Sequence, residues 1–175
     1  MTSRATARVL SSPREASRRS VSGGFLALTI VHAVALVAYP SIPLIAIGLW
    51  WNANTIAHNF IHRPFFRRPV PNRAFSACLS VVLGIPQELW RQRHLRHHAE
   101  AAGGAVRPLQ LSSAFVFETT LVVALWTGLA LLAPHLLLWV YLPGWAAGLG
   151  LCQLQGHYEH ARGTASHYGR VYNLL

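Results

Sequence analysis

Residues 42–62 read IPLIAIGLWWNANTIAHNFIH, an apolar run that ends in two histidines four residues apart. The sequence PSIP separates this run from an earlier one, so residues 22–39 and 42–60 are predicted to form a helical hairpin. A similar plan recurs later in the chain, where residues 111–133 and 135–155 are divided by a proline. Each pair is about twice the ~20 residues that a helix needs to cross a bilayer. We therefore predict an all-α integral membrane protein with four transmembrane helices in two hairpins.

The distribution of the charges predicts how the chain sits in the bilayer. The 175 residues are 53% hydrophobic and carry a formal net charge of +10; all 15 basic residues are Arg and all five acidic residues are Glu. The Arg residues lie before, between and after the two apolar regions, and neither hairpin tip contains one. The positive-inside rule therefore places the N-terminus, the middle loop and the C-terminus in the cytoplasm. We expect a multi-pass protein of a bacterial inner membrane, in contact with membrane lipids and with no nucleic-acid partner.

Three other segments have weaker signals. Residues 1–20 are rich in Ser and Arg and are predicted to be a basic disordered tail, which leaves residues 21–175 as the membrane domain. The apolar stretch 74–85 is too short to span a bilayer and is predicted to be interfacial or re-entrant. Residues 1–39 have features of a signal peptide. Because the basic lead-in is long and a second apolar run follows at once, we favour an uncleaved helix.

Eight of the ten histidines lie at or beyond the predicted cytoplasmic helix ends, in three groups and one single residue. His58 and His62 share one face of the second helix, as two imidazoles do when they bind one metal ion. The run HLRHH follows Pro86, which is predicted to open a short helix with its three histidines over about 100° of one face. A third group follows the fourth helix in the run GHYEH. The histidines of the second and third groups are His94, His97, His98, His157 and His160.

Histidine groups of this kind predict a metal centre. Imidazole suits zinc, copper, iron and nickel, but a zinc site needs only three or four protein ligands. The first two groups alone provide five imidazoles, so two metal ions are favoured. A haem with two histidine ligands is an alternative, but it does not explain the adjacent His97 and His98. Cys78 and Cys152 lie in apolar runs, which excludes a cysteine-based zinc site and a disulfide framework.

Several polar residues inside the predicted helices need partners. His32 and His135 are isolated and are predicted to contact lipid headgroups or to form hydrogen bonds. Glu118 is the one charge in the second apolar region. It is either functional, as ionisable residues in membrane helices are by default, or a neutral acid paired with a neighbouring Thr or with His32. Asn52 and Asn54 are candidate hydrogen-bond partners for ligand imidazoles.

The histidine groups resemble the histidine boxes of the membrane fatty acid desaturase superfamily, which also includes hydroxylases of alkanes, carotenoids and sterols. The likeness rests on His-x-x-x-His followed, after about 30 residues, by His-x-x-His-His. The runs HNFIHRPFF, starting at residue 58, and GHYEH, starting at residue 156, strengthen it. The resemblance covers roughly residues 25–175, which is nearly everything after the predicted tail.

The resemblance implies a four-helix membrane anchor with a cytosolic, histidine-rich cap. It also implies a centre of two non-haem iron ions that uses O2 and two electrons to oxidise a C–H bond of a lipid chain. In the related alkane hydroxylases a Glu-His pair after the last helix supplies a further ligand, so His160 is a better candidate than His157. The implied metal ligands are His58, His62, His94, His97, His98, His160 and, as a second candidate, His157.

The resemblance further implies an acyl lipid or acyl carrier substrate and an electron donor of the ferredoxin or cytochrome type. We expect a fatty acid desaturase, an oxidoreductase of lipid metabolism. Hydroxylation of a carotenoid, sterol or alkane is the alternative, because the boxes alone do not separate the two reactions.

The family carries a third box, usually His-x-x-His-His, about 20–30 residues beyond the position of His160. The sequence stops at Leu175, and only His167 lies downstream. We therefore expect a C-terminally incomplete domain: either a fragment of a longer protein or a truncated, non-catalytic relative. An in-frame third box within about 30 codons after residue 175 would favour the enzyme.

The missing box has a measurable consequence for metal binding. Because three of about eight or nine expected ligands are absent, we expect the polypeptide that ends at Leu175 to be inactive or poorly metallated. Iron per protein, measured after reconstitution with Fe²⁺, tests this expectation. Two tightly held iron ions per chain would contradict it.

Overall fold

The computed structural model describes residues 13–101, 103, 105 and 108–161, and the side chains of residues 22–99, 103, 105 and 108–158. All regular structure in this part of the chain is helical, which confirms the predicted all-α class. The elements in order are α1 (Pro13–Ala38), α2 (Ile42–Trp51), a first π-helical segment (Asn52–Ala57), α3 (His58–His62), α4 (Pro69–Leu83), α5 (Gln87–Ala101), α6 (Ser113–Leu132), α7 (Pro134–Leu136), a second π-helical segment (Leu137–Tyr141) and α8 (Leu142–Ala161).

The four long predicted helices are all present, with ends that differ by a few residues. The first begins at Pro13, inside the stretch 1–20 that was predicted to be a tail, whereas residues 1–12 lie outside the described residues. The second and fourth each run through a π-helical segment and extend to His62 and Ala161. Both are therefore longer than the apolar runs from which they were predicted.

Two helices of the described chain are long and apolar enough to cross a membrane: Ser113–Leu132 and Pro134–Tyr158. The apolar helix Ser22–Ala38 is shorter, and residues 42–62 do not meet the same measure of length and composition. Only 6% of the first candidate span and 17% of the second are buried, as expected for helices that face lipid. These helices indicate a membrane protein, while the four-span topology with cytoplasmic termini stays a prediction.

The helices α2 and α8 pack closely along their lengths. A Cβ at Gly144 of α8 would lie 2.8 Å from the Ile45 Cβ, and one at Gly148 would lie 3.0 Å from a backbone oxygen of α2. Small residues four apart let helix backbones approach in this way, as in many membrane helix pairs. Ile45 faces Gly144, and Trp50 Nε1 donates to Gln155 Oε1 at 2.6 Å. The two helices therefore run in the same direction, so α3 lies at the same end of the bundle as the end of α8.

The core lies around the second long helix. Leu49, Ile56 and Leu79 are almost fully buried and belong to one hydrophobic cluster contributed mainly by α2, the first π-helical segment and α4. The Phe60 ring packs edge-on against the Phe75 ring, with centroids 5.1 Å apart. These contacts hold α3 against α4 just below the two histidines of α3.

The apolar stretch 74–85 lies in a helical hairpin made by α4 and α5. Gly84 ends α4 in the left-handed conformation, with φ at 63°, which favours glycine. A Cβ at Gly84 would overlap the Tyr141 hydroxyl, and Trp145 Nε1 donates to a carbonyl of the last turn of α4 at 3.0 Å. The hairpin tip therefore lies beside the candidate span Pro134–Tyr158 rather than beyond its end.

Glu118 joins this hairpin to α6. Its carboxylate is 3% exposed and accepts hydrogen bonds from the Ser76 hydroxyl at 2.6 Å and from the Glu88 backbone N–H at 2.5 Å. The second bond caps the N-terminus of α5, where a carboxylate is favourable. The predicted pairing of Glu118 with Thr119, Thr120 or His32 is therefore wrong. Both threonines donate to carbonyls of their own helix, and His32 contacts α2.

The close contact between α2 and α8 predicts the effect of a single methyl group. Gly144→Ala places a Cβ where α2 leaves no room, so we expect overpacking to lower the free energy of unfolding by about 1–3 kcal/mol. Gly150→Ala is the matched control, since a Cβ there meets no atom within 4 Å. Denaturant unfolding of both variants in detergent measures the difference. Equal stability of the two variants would contradict the close helix packing.

Candidate metal centre

The second long helix presents His58 and His62 at its end. The π-helical segment Asn52–Ala57 comes immediately before them, and Arg63, in an extended conformation, ends the helix after them. The two rings lie with centroids 4.9 Å apart. The pair therefore lies on one helix face, as the four-residue spacing predicts.

The second box reaches the same place from α5. The rings of His94 and His98 are one helical turn apart, with centroids at 4.5 Å and Nε2 atoms at 3.0 Å. His94 Nε2 also lies 2.9 Å from His62 Nε2, and the His94 ring centroid lies 4.6 Å from that of His58. Four imidazoles from two boxes that are 32 residues apart in sequence therefore meet.

Polar contacts outside the cluster position α5, and sequence patterns did not reveal them. Gln92 Nε2 donates to Gln110 O at 3.0 Å, and Gln92 Oε1 accepts from Gln110 N at 2.7 Å. This reciprocal pair ties the middle of α5 to the segment that leads into α6. Glu88 and Arg91 form an ion pair at 2.6 Å in the first turns of the helix. Burial opposes ionisation of Glu88, but hydrogen bonds from Arg91 and Gln92 outweigh it and lower the pKa of this carboxyl.

The environment disfavours protonation of two rings of the cluster, those of His58 and His94. His58 and His94 lie outside the two candidate spans; burial, and then the neighbouring imidazoles, lower the pKa of His58 to about 4 and that of His94 to about 3. A neutral imidazole has a free lone pair on one ring nitrogen, which is the form that binds metal. Within the described residues, His58, His62 and His94 bring ligand atoms to within 4.8 Å of one another.

The donor set and its spacing fit a transition-metal ion. Two nitrogens that bind one ion at right angles, each at about 2.1 Å, are about 3.0 Å apart. The Nε2 atoms of His62 and His98 lie 2.9 and 3.0 Å from that of His94. Imidazole donors suit iron, zinc, copper and nickel, whereas calcium and magnesium prefer oxygen ligands. The cluster therefore fits the predicted iron ligands and equally fits other metals of that group.

The remaining predicted ligands lie at the edge of the cluster or outside the described side chains. The exposed His97 ring lies 6.1 Å from that of His98. The His157 ring is exposed and contacts Tyr158 at 5.7 Å. The side chain of His160, and all of His167, are not among the described residues. The end of α8 lies at the same end of the bundle as α3, which is compatible with a metal role for His157 and His160. That role stays a prediction.

Buried polar groups lie one or two turns inside the bundle from the cluster. Asn54 comes four residues before His58, and Trp90 comes four residues before His94. The Asn54 side-chain nitrogen, the Trp90 indole nitrogen and both polar atoms of the Gln87 amide have no hydrogen-bond partner among the described residues. Gln87 is only 1% exposed. Buried groups of this kind need a partner, so they are available to water or to a ligand.

The two asparagines of the first π-helical segment differ from the prediction that they bond to ligand imidazoles. Asn52 does contact an imidazole, but it is that of His32 in α1, at 3.0 Å. His32 is therefore a hydrogen-bonding residue inside the bundle, which is one of the two roles predicted for it. His135, for which the same roles were predicted, is exposed, and its ring lies 6.4 Å from that of Trp139.

One comparison with known proteins gives a match. The family model described as "Fatty acid desaturase" matches residues 33–109, which include both histidine boxes, α4 and α5. No curated protein and no solved structure matches the chain. The family match confirms the predicted resemblance to the membrane fatty acid desaturase superfamily over these residues, while the later part of the predicted resemblance, with the run GHYEH, lies outside the match. It indicates a membrane oxidoreductase of the desaturase or hydroxylase type.

The geometry of the cluster predicts which histidine matters most for metal binding. His94 touches His58, His62 and His98, so we expect His94→Ala to lower the affinity for Co²⁺ or Fe²⁺ by more than the roughly 10–100-fold that loss of an outer partner costs. Equilibrium metal binding in detergent measures the loss. His135→Ala removes an exposed histidine from the start of α7 and should bind metal as the wild type does. Equal affinities of the two variants would contradict the site.

Proposed function

We propose, from the premise that residues 33–109 belong to the fatty acid desaturase family, that the protein dehydrogenates an acyl lipid chain with O2 at a histidine-held di-iron centre. The observation that carries the proposal is the meeting of four box imidazoles at one end of a bundle with apolar outer helices. The cluster lacks a carboxylate, and its ring nitrogens lie close enough together to bind a shared cation.

The chain's own residues would provide the metal ligands and the apolar side chains that enclose the site. His58, His62, His94 and His98 would hold the metal together with His97, and His160 and His157 remain candidates for further positions. Bound iron and O2 would supply the oxidising power that an unactivated C–H bond requires. Below the cluster, Ile56 and Ala57 are fully buried, so apolar side chains enclose this part of the site.

The outer surface of the bundle suits a substrate that arrives from the bilayer. Large apolar side chains of α1 and α6 are exposed, among them Val34, Val37 and Phe117. Exposed apolar surface of this extent on a protein with candidate spans indicates contact with lipid tails. We propose that the acyl chain approaches the cluster between helices from this side.

A second surface, next to the cavity beside α5, suits the polar end of the substrate or a protein partner. A cavity of about 310 Å³ lies between α5 and the residues Ala105 and 108–110, and Arg91 and Arg96 are among its lining residues. Arg67, Arg68 and Arg93 are also exposed on the loop and helix next to the boxes. Positive surfaces attract anions, so this face would receive an anionic headgroup, a carrier phosphate or an acidic electron donor of the ferredoxin or cytochrome type.

Hydroxylation is the second candidate reaction. The polar groups of Asn54, Trp90 and Gln87 without partners lie just inside the bundle from the cluster. A substrate with an oxygen near its reacting carbon, such as a carotenoid ring or a sterol, would satisfy such groups better than a plain acyl chain.

Lipid analysis of a host without an O2-dependent desaturase tests the proposal. Expression of the wild type, including any in-frame continuation beyond residue 175, should produce new double bonds in the acyl chains under air and none without O2. His97→Ala should insert into the membrane and produce none, whereas His135→Ala should match the wild type. Mass spectrometry of the derivatised lipids measures the products.

Three results would count against acyl desaturation. A hydroxylated product in place of a double bond would replace it with the second candidate reaction. Full activity of His97→Ala would contradict the ligand assignment. A metallated wild type that forms no product with a supplied electron donor would favour a non-catalytic relative.

A further inference from the structure

A buried polar network joins α1 to the helix that carries the first histidine box. Asn52, which is 1% exposed, is at its centre. Its Nδ2 donates to Gly48 O at 2.8 Å and lies 3.0 Å from His32 Nδ1, and its Oδ1 accepts from Thr29 Oγ1 at 3.2 Å. His32 Nε2 in turn lies 3.2 Å from Leu44 O. The network therefore contains two residues of α1 and three positions of the second long helix.

The amide and imidazole hydrogens of this network have determined places, whereas the Thr29 hydroxyl has two acceptors, Asn52 Oδ1 at 3.2 Å and Phe25 O at 3.0 Å. Gly48 O can only accept, so the atom of Asn52 beside it must be the amide nitrogen, which has two hydrogens. The second hydrogen points to His32 Nδ1, which therefore accepts. The proton of the neutral His32 ring is then on Nε2 and is donated to Leu44 O. Both ring nitrogens of His32 form hydrogen bonds, so His32 connects α1 to the second long helix and is not a metal ligand.

The backbone of α2 also makes room for the network. A Cβ at Gly48 would overlap the His32 ring, so the ring occupies the space that the glycine leaves open. Asn52, which holds that ring, is the first residue of the π-helical segment Asn52–Ala57. The segment has the wide hydrogen-bond spacing of a π turn, since the His58 N–H donates to Ala53 O, five residues back.

A side chain also supports the other end of this segment. Asn59 Nδ2 donates to Thr55 O at 2.7 Å, just as Asn52 Nδ2 donates to Gly48 O four residues back. π turns are rare and occur frequently at functional sites. Here the paired asparagines stabilise one immediately before the metal-ligand candidates.

The π turn decides where His58 points. In an uninterrupted α-helix, His58 would lie about 180° around the axis from Leu49, nine residues earlier. Leu49 faces the core and is 1% exposed, so His58 would face away from it. One extra residue in the ladder turns the following residues by about 100°, which brings His58 to about 80° from Leu49. This is the rotation at which the rings of His58 and His94 meet at 4.6 Å.

We propose that Asn52 is a positioning residue of the metal centre. Its amide ties the start of the π-helical segment to His32 and Thr29 of α1, and the segment then presents His58 and His62 to His94. The inference rests on the metal centre of the proposed function, but the network itself contains no candidate ligand. It therefore has a readout that needs neither metal nor activity.

Two variants of the intact protein in detergent test the proposal. Asn52→Leu keeps the approximate size of the side chain and removes its donors and acceptor. Gly48→Ala forces the His32 ring away without changing any side chain that forms a hydrogen bond in the network. We expect both to retain their helix content by circular dichroism. Without metal, amide hydrogen exchange in residues 52–62 should be at least about tenfold faster than in the wild type, and Co²⁺ affinity should fall about 10–100-fold with shifted visible bands.

Matched controls separate the network from general damage. Gln153→Leu exchanges an exposed amide of α8 for the same apolar side chain, and Gly128→Ala adds a Cβ that meets no atom within 4 Å. Both controls should match the wild type in exchange and in Co²⁺ binding.

The outcomes distinguish this inference from the proposed function. Folded network variants with the exchange rate or the Co²⁺ affinity of the wild type would overturn the positioning role. If Asn52→Leu fails to fold, Gly48→Ala decides. A wild type that binds no Co²⁺ would refute the proposed metal centre, and the exchange rates alone would then decide whether Asn52 holds the π-helical segment.

Discussion

The contact of four imidazoles at one end of the bundle is the constraint on which the rest of the structure depends. Their ring centroids lie 4.5–5.1 Å apart, and burial holds the pKa of His58 and His94 far below that of a free histidine. Protonation of several rings would place like charges in contact, whereas unprotonated rings can bind metal ions together. The two helices that carry the histidine boxes must therefore reach the same end of the bundle, each rotated so that its histidines face those of the other.

The helix that carries the first box is too polar to meet the measure of a candidate span, yet it lies at the centre of the bundle. Asn52 and Thr55 are buried in it, and α1, α4 and α8 cover it. Polar residues at membrane depth are tolerated where they face protein instead of lipid. The apolar α6 and α8 remain mostly unburied, which is the complementary arrangement. The helix that carries the first box is therefore polar and covered by protein, whereas α6 and α8 are apolar and mostly exposed.

Local patterns predicted the parts of this site that depend on helix periodicity. The spacing of His58 and His62 was sufficient to place both rings on one face, and the same holds for His94 and His98. The π-helical segment was not predictable, because its stability depends on His32, which lies 20 residues before Asn52. The sequence contains the small residues Gly144 and Gly148 four positions apart, but only the structure shows that they pack against α2.

Glu118 shows why an ionisable residue in a membrane helix need not act on a substrate. Its partners are 30 and 42 residues away, so no local pattern identifies them. One bond ends on α4, and the other caps the first turn of α5 at Glu88, six residues before His94. A buried carboxylate is costly, but two short hydrogen bonds and a helix N-terminus compensate for its lost hydration. Since α5 carries the second box, the one acid within a candidate span supports the histidine cluster from a distance: it fixes the helix that brings His94 and His98 to their partners.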